Sequence, residues 1–312
     1  MAHGTHDHGN DPRNDEILVW VNGELKPRAE AVVSVFDSGF VLGDGVWEGL
    51  RVHHGHPAFL ETHLDRLWQG AQALMLDIGM TRVELTRALY DTLAANDMHD
   101  GVHIRLMVTR GVKSTPYQDP RVTVGSATIV IIAEHKEPMP ATVSEGITLF
   151  TTHVRRASPD TLDPKLNAHS KLNDVTACIQ AYTAGADEAL MLDPHGFVAT
   201  CNSTHFFIVV GSEDEPEVWT SDGRFCLGGI TRGNVLEVCR SHDIAARETT
   251  FSLTDVYSAR EAFVTGTFAG LVPVRTVDGR TIGTGARGPV VERLQGLYAE
   301  HVEADVAGRT AP

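Results

Sequence analysis

One proline-rich stretch, "KEPMPATVSEG" at residues 136–146, cuts the chain into two blocks, and each block carries both strand and helix periodicity. In the first block "ILVWVNG" alternates apolar and polar residues and ends at Asn22-Gly23, a pair suited to a two-residue hairpin turn. "AVVSVFD" and "VWEGLRVHHG" continue the strand pattern. "ETHLDRLWQGAQALML" and "RVELTRALYDTLAAN" switch to helical spacing, and "VHIRLMVTRG" and "SATIVIIAEH" return to long strands. The second block opens on the strand "ITLFTTHV", crosses the polar segment "LDPKLNAHSKLND" and predicts a helix over roughly 175–184. "DEALMLD", "FVATCN" and "HFFIVVG" predict strands, and "TRGNVLEVCRSH" predicts a helix with Ile230 and Thr231 at its start. "EAFVTGTFAGLVPV" adds two more strands. The expectation is an α+β chain with a disordered tail over 1–16, a small domain over 17–138, a linker over 139–146 and a large domain over 147–312. Two such domains meeting at a cleft offer a common place for a ligand site.

Composition narrows the function classes. The 312 residues hold 26 Lys and Arg against 41 Asp and Glu, a net charge of −15 with no basic run. Nucleic acid and anionic membranes are therefore not expected partners. Cys178, Cys201, Cys226 and Cys239 show no CxxC spacing, which fits reduced thiols and a cytoplasmic protein. The start of the chain has no apolar core of a signal peptide, and no apolar run reaches membrane-spanning length. His3, His6 and His8 fit either a polar tail or a weak metal contact.

Three short motifs point to a phosphate. "LGGITR", residues 227–232, sets two glycines before a helix N-terminus, where unpaired N–H groups and the helix dipole suit an anion and Thr231 adds a hydroxyl. "GTF", residues 266–268, is a small-residue turn carrying Thr267. "WEGLR" ends in Arg51, a forked donor matched to phosphate oxygens.

With "VFDSGFVLGDGVWEGLRV", "HLDRL", "RLMVTRG", "GADEALMLDPHGFVA", "TGTFAGLVPVRTVDG" and "GPVVERL" in the same order, the chain resembles the class IV aminotransferases, the fold-type IV pyridoxal-phosphate group, from about Val19 to His301. The resemblance implies a two-domain fold-type IV architecture, pyridoxal 5'-phosphate as cofactor, a small amino compound or keto acid as substrate, and a homodimer. It implies that Arg51, the backbone at Ile230, Thr231 and Thr267 form the phosphate cup. Arg105 aligns with a substrate-carboxylate arginine, or is an ordinary ion-pair residue. Trp47 becomes an apolar wall of the site, or simply core.

The catalytic positions depart from that pattern. A typical member reads D-P-R-I-K-S-L-N-Y, its lysine binding the cofactor covalently. Here the family lysine falls on Asn167 and the cofactor-facing Tyr on Lys171, while Lys165 matches the family Arg, nearly 7 Å further back along an extended segment. The carboxylate that pairs with the pyridine nitrogen falls on Thr200, and a nearby Asn on His205. An amide at 167 supplies neither a covalent link nor a proton shuttle. Three readings follow: a cofactor-binding enzyme with altered chemistry in which Lys171 takes over, a cofactor-independent enzyme using the cleft for another anion, and a non-catalytic binding protein. His169, His205 and Asp174 as a metal site is a further reading, though their spacing matches no ligand motif.

Overall fold

The computed structural model describes residues 4–311, so His3 lies outside the described residues. The chain forms two compact units. One comprises Asn10–Glu137, Leu166–Lys171 and the segment from Glu303 onward; the other comprises the segment up to Gly9, Pro138–Lys165 and Leu172–Val302.

The first unit contains β1 (Leu18–Val21), β2 (Glu24–Pro27), the short α1 (Ser38–Leu42), β3 (Gly45–His53), β4 (His56–Pro57), α2 (Leu60–Ala73), α3 (Arg82–Ala95), β5 (Val102–Thr109) and β6 (Thr128–His135). Its strands form one sheet in the order β2-β1-β6-β5-β3-β4, with every pair antiparallel. Asn22 and Gly23 close the β1–β2 hairpin with φ of 49° and 97°, the left-handed values that a two-residue turn demands. Alternation decides which face is covered. Val46, Leu50 and Val52 of β3 and Ile104, Leu106 and Val108 of β5 form one core with Leu64 and Leu67 of α2 and Leu85 and Leu89 of α3. A Thr81–Glu84 capping box starts α3.

The second unit contains α4 (Pro140–Glu145), β7 (Ile147–Thr151), α5 (Pro159–Leu162), α6 (Leu172–Thr183), β8 (Glu188–Leu192), β9 (Val198–Cys201), β10 (His205–Gly211), β11 (Pro216–Thr220), α7 (Ile230–Ser241), β12 (Ala246–Glu248), α8 (Leu253–Tyr257), β13 (Glu261–Gly266), β14 (Gly270–Val277), β15 (Arg280–Thr281) and α9 (Pro289–Val306). The sheet runs β12-β11-β10-β13-β14-β7-β8-β9, with β15 beside β14. Both faces of β10 are buried: Phe206 and Ile208 pack with Val264 and Val272, while Phe207 and Val209 pack with Val235 and Val238 of α7 and Leu294 of α9. Among the described residues no helix is long and apolar enough to cross a membrane, and the four cysteines are free thiols.

Three local expectations change. Residues 31–36 of "AVVSVFD" form no strand. β-branched residues favour a strand only where a ladder partner exists, and this segment makes only one bridge, Asp37 to Val112. Helix α6 starts at Leu172, about a turn before the predicted start, with Asp174 in its first turn. The polar stretch 4–16 is held in place. Asn14 closes the end of β6 by donating to the His135 carbonyl (2.8 Å) and accepting from its N–H (2.8 Å), and Thr5 is buried. Asparagine and threonine side chains here replace main-chain partners, something that a count of polar residues does not reveal.

Candidate active site

In the first unit, the face of the sheet opposite the core carries the charged candidates. Alternation places Trp47, Gly49 and Arg51 of β3 on that face beside Met107, Arg105 and His103 of β5, in the register Trp47↔Met107, Gly49↔Arg105 and Arg51↔His103. The Arg105 guanidinium lies 3.8 Å from the centroid of the Trp47 ring. Arg51 donates to the carbonyl of Lys136. Burial lowers the pKa of Arg51, Arg105 and Lys136 alike, and the arginines add to the effect on Lys136. A chain of net charge −15 thus concentrates cations on one sheet face. Gly49 lets the neighbouring rings close over the strand, since a Cβ would stand 3.1 Å from the His103 ring and 3.5 Å from Trp47.

The segment Leu166–Lys171 attaches to the same strand. β4 covers only the Val52–His53 end of β3, and residues 167–170 cover the other end. Trp47 N–H donates to the Asn167 carbonyl (3.0 Å), His169 N–H to the Gly45 carbonyl (3.0 Å) and the Trp47 indole N–H to the Ala168 carbonyl (3.1 Å). The Asn167 side-chain amide donates to the Trp47 carbonyl at 2.6 Å. Asn167 is only 4% exposed, and its Oδ1 has no hydrogen-bond partner. Lys171 is half-buried with its Nζ 5.6 Å from the Trp47 ring centroid, so Trp47 receives cations from Arg105 and Lys171. Lys165 is exposed and belongs to the other unit.

In the second unit the phosphate motifs converge at one end of the sheet. Antiparallel pairing sets His205, the first residue of β10, opposite Thr265 near the end of β13. The His205 ring donates from Nε2 to the Leu227 carbonyl (2.9 Å). Gly229 sits against that ring so closely that a Cβ would stand 2.4 Å from Nε2. Gly229 is the N-cap of α7 and offers no side-chain cap to the first-turn N–H groups of Ile230 and Thr231. Thr265 is buried with its hydroxyl unpaired, and Thr267 lies in the turn that follows. An uncapped helix start, a glycine with no room for a side chain and an orphaned hydroxyl suit a small anion such as a phosphate group.

Thr200 is buried on β9 and donates to the Thr204 carbonyl (2.8 Å); it brings no charge. The buried acid nearest to it in the network is Glu188, which sequence reasoning passed over. Its carboxylate accepts from Thr204 Oγ1 (2.6 Å), from Thr5 Oγ1 (2.7 Å) and from Ser203. Burial pushes the Glu188 pKa up, against the pull of these hydroxyl donors. The signal was a glutamate inside the otherwise apolar run "EALML". The metal reading fails on geometry: His169 donates to the Val46 carbonyl, Asp174 pairs with Arg156 and His205 holds Leu227. Among the described residues no group of three or more His, Cys, Asp or Glu side chains is placed to hold a metal.

Comparison with known proteins places this fold and these motifs in a family. Residues 45–277 match the family Amino-transferase class IV, and the chain belongs to that family. Branched-chain-amino-acid aminotransferase-like protein 2 of Arabidopsis thaliana is 42% identical over 287 residues, 92% of this chain and 50% of that protein. The chain therefore spans about half the length of that relative. A putative branched-chain-amino-acid aminotransferase of Methanocaldococcus jannaschii is 40% identical over 91% of this chain and 96% of its own length. The branched-chain amino acid aminotransferase of Thermobaculum terrenum, crystallised in its PLP form, superposes with a TM-score of 0.82 at 25% identity, covering 94% of this chain and 95% of the other. The architecture is that of the two-domain fold-type IV branched-chain aminotransferases.

Proposed function

We propose that the chain is a pyridoxal-phosphate-dependent aminotransferase acting on a small amino compound or keto acid, with Lys171 as the amine nearest the reacting atoms and Asn167 as a structural residue. The observation that carries this reading is the segment on the edge of β3. Asn167 spends its amide on the Trp47 carbonyl, while Lys171 stands over the Trp47 ring on the face that bears Arg51 and Arg105.

The cofactor, when bound, supplies an electron sink for the carbon that loses its proton. The protein's own part is binding, orientation and proton transfer. Thr231, Thr267 and the N–H groups at the start of α7 would hold the phosphate, and the buried Thr265 hydroxyl, which has no partner, would gain an acceptor there. Arg51 is assigned to that phosphate by its place in the family pattern. Arg105 holds a substrate carboxylate, its guanidinium oriented by the Trp47 ring. Lys171, its Nζ 5.6 Å from the Trp47 ring centroid, is the amine proposed to take the proton. Thr200 and His205 bring no carboxylate, so a bound cofactor would be a weaker electron sink here than in a member that carries one. We further propose a homodimer, as is usual for this fold type.

A second reading has one observation in its favour: Asn167 and Thr200, the neutral side chains that the resemblance sets at the usual lysine and carboxylate positions, are already committed to carbonyls. On that reading the site has given up pyridoxal phosphate and takes another anion. Titrating the purified chain with pyridoxal phosphate and following visible absorbance separates the two. Saturable binding with a new visible band is expected, and no binding would sink the first reading.

A further inference from the structure

We propose that residues 4–9 are a working part of the site, in which Thr5 acts through Glu188, and His6 and His8 act through Phe268, to position the turns that carry Thr204–His205 and Thr267. This rests on the reading of those turns as the cofactor's phosphate site.

Polar segments pack against a surface only when contacts offset the cost of ordering them, and this one makes specific contacts. Thr5 is 2% exposed and donates to Glu188. The same carboxylate receives the Thr204 and Ser203 hydroxyls, so one buried acid ties residue 5 to the turn between β9 and β10. Thr204 in turn accepts from Thr200 Oγ1 and from the Cys201 N–H at its carbonyl, and it presses its methyl group toward Gly266, where a Cβ would stand 3.2 Å away. On the other side the His6 ring stacks on Phe268 with centroids 5.8 Å apart, and His8 meets the same ring edge-on at 6.4 Å. Phe268 follows Thr267 directly. The segment thus touches the phosphate turn from two directions, through a carboxylate and through an aromatic ring. Thr5, His6, Thr204, Gly266 and Phe268 line a small cavity beneath it.

Thr5 is a positioning residue, and its removal leaves one side of a buried carboxylate without a donor. The test compares wild type, Thr5→Val, Thr5→Ser and the double variant His6→Ala/His8→Ala by pyridoxal-phosphate titration and by thermal melting of the cofactor-free proteins. Thr5→Val is expected to weaken cofactor binding about five- to tenfold, the loss of one buried hydrogen bond, with Thr5→Ser restoring it. The double variant should also bind more weakly. Melting shifts without any change in dissociation constant would mean that the segment only stabilises the fold, and would overturn the proposal. If wild type binds no pyridoxal phosphate, the cofactor reading itself falls; if it binds and every variant equals it, this proposal alone falls.

Discussion

Glu48 is a carboxylate inside the apolar interface between β3 and α2, fully buried and hydrogen-bonded by His63 Nδ1 at 2.6 Å and by Arg66 Nε and Nη2 at 2.8 and 2.7 Å. Burial pushes its pKa up, yet the bonds from Arg66 and His63 outweigh that and hold it below the ordinary value. Burial lowers the pKa of His63, which stays neutral and donates. Removing one member strands the others, so Glu48→Ala should cost about 3–5 kcal/mol in urea unfolding; a loss under about 1 kcal/mol would contradict this. The histidines also fix a pH dependence. His53, His63, His135 and His169 all have folded pKa values below the ordinary 6.5, mainly through burial, whereas His54 is raised by Glu303. A lowered pKa means that the unfolded chain takes up protons that the folded chain refuses. Stability should therefore fall as pH drops below about 6.5, and Glu48 extends the fall through the carboxylate range, with Glu188 working in the opposite direction there. A urea midpoint that is higher at pH 5.5 than at pH 7.5 would refute the assignment, both values chosen to bracket roughly the ordinary histidine pKa. At the site, Arg51→Ala should weaken pyridoxal-phosphate binding about ten- to a hundredfold by titration, the usual loss for a charge-assisted phosphate contact.

At the scale of elements, legibility followed periodicity. β3, β5, β6, α2 and α3 were readable because each buries one face in a regular rhythm, and β10 because it is a short apolar run buried on both faces. The edge segment 166–171 was not, since its pairing with β3 depends on a strand some 120 positions earlier in the chain, and local pattern carries no trace of it. β12 was missed for the same reason, as three exposed residues held by their parallel partner β11. The turns proposed to hold the phosphate were readable because glycines just before a helix start are a local signal. Gly229 has no space for a Cβ beside His205, so Gly229→Ala should displace that ring or the start of α7. Cofactor affinity is expected to fall more than thermal stability, and the opposite order would argue that Gly229 serves only the packing of α7.

At the scale of the whole molecule, the family and the fold were legible from the order of motifs, because each block occupies a turn or strand end that the fold requires. The chemistry was legible only as an expected contradiction, an amide at the position where the resemblance puts the family's amine. Side-chain placement gives that contradiction a physical form, since Asn167 is bound into the sheet edge and Lys171 shares the open face with Trp47 and Arg105. A homodimer is expected in sedimentation of the purified chain, and a strictly monomeric profile would count against the assembly proposed for this fold type. The central claim concerns one amine, and one measurement reaches it most directly: borohydride reduction of the protein saturated with pyridoxal phosphate, followed by peptide mass mapping. The account predicts the label on Lys171, with none on Lys165 and none once Lys171 is changed to Ala; a label elsewhere, or robust amino-acid turnover that survives Lys171→Ala, would contradict it.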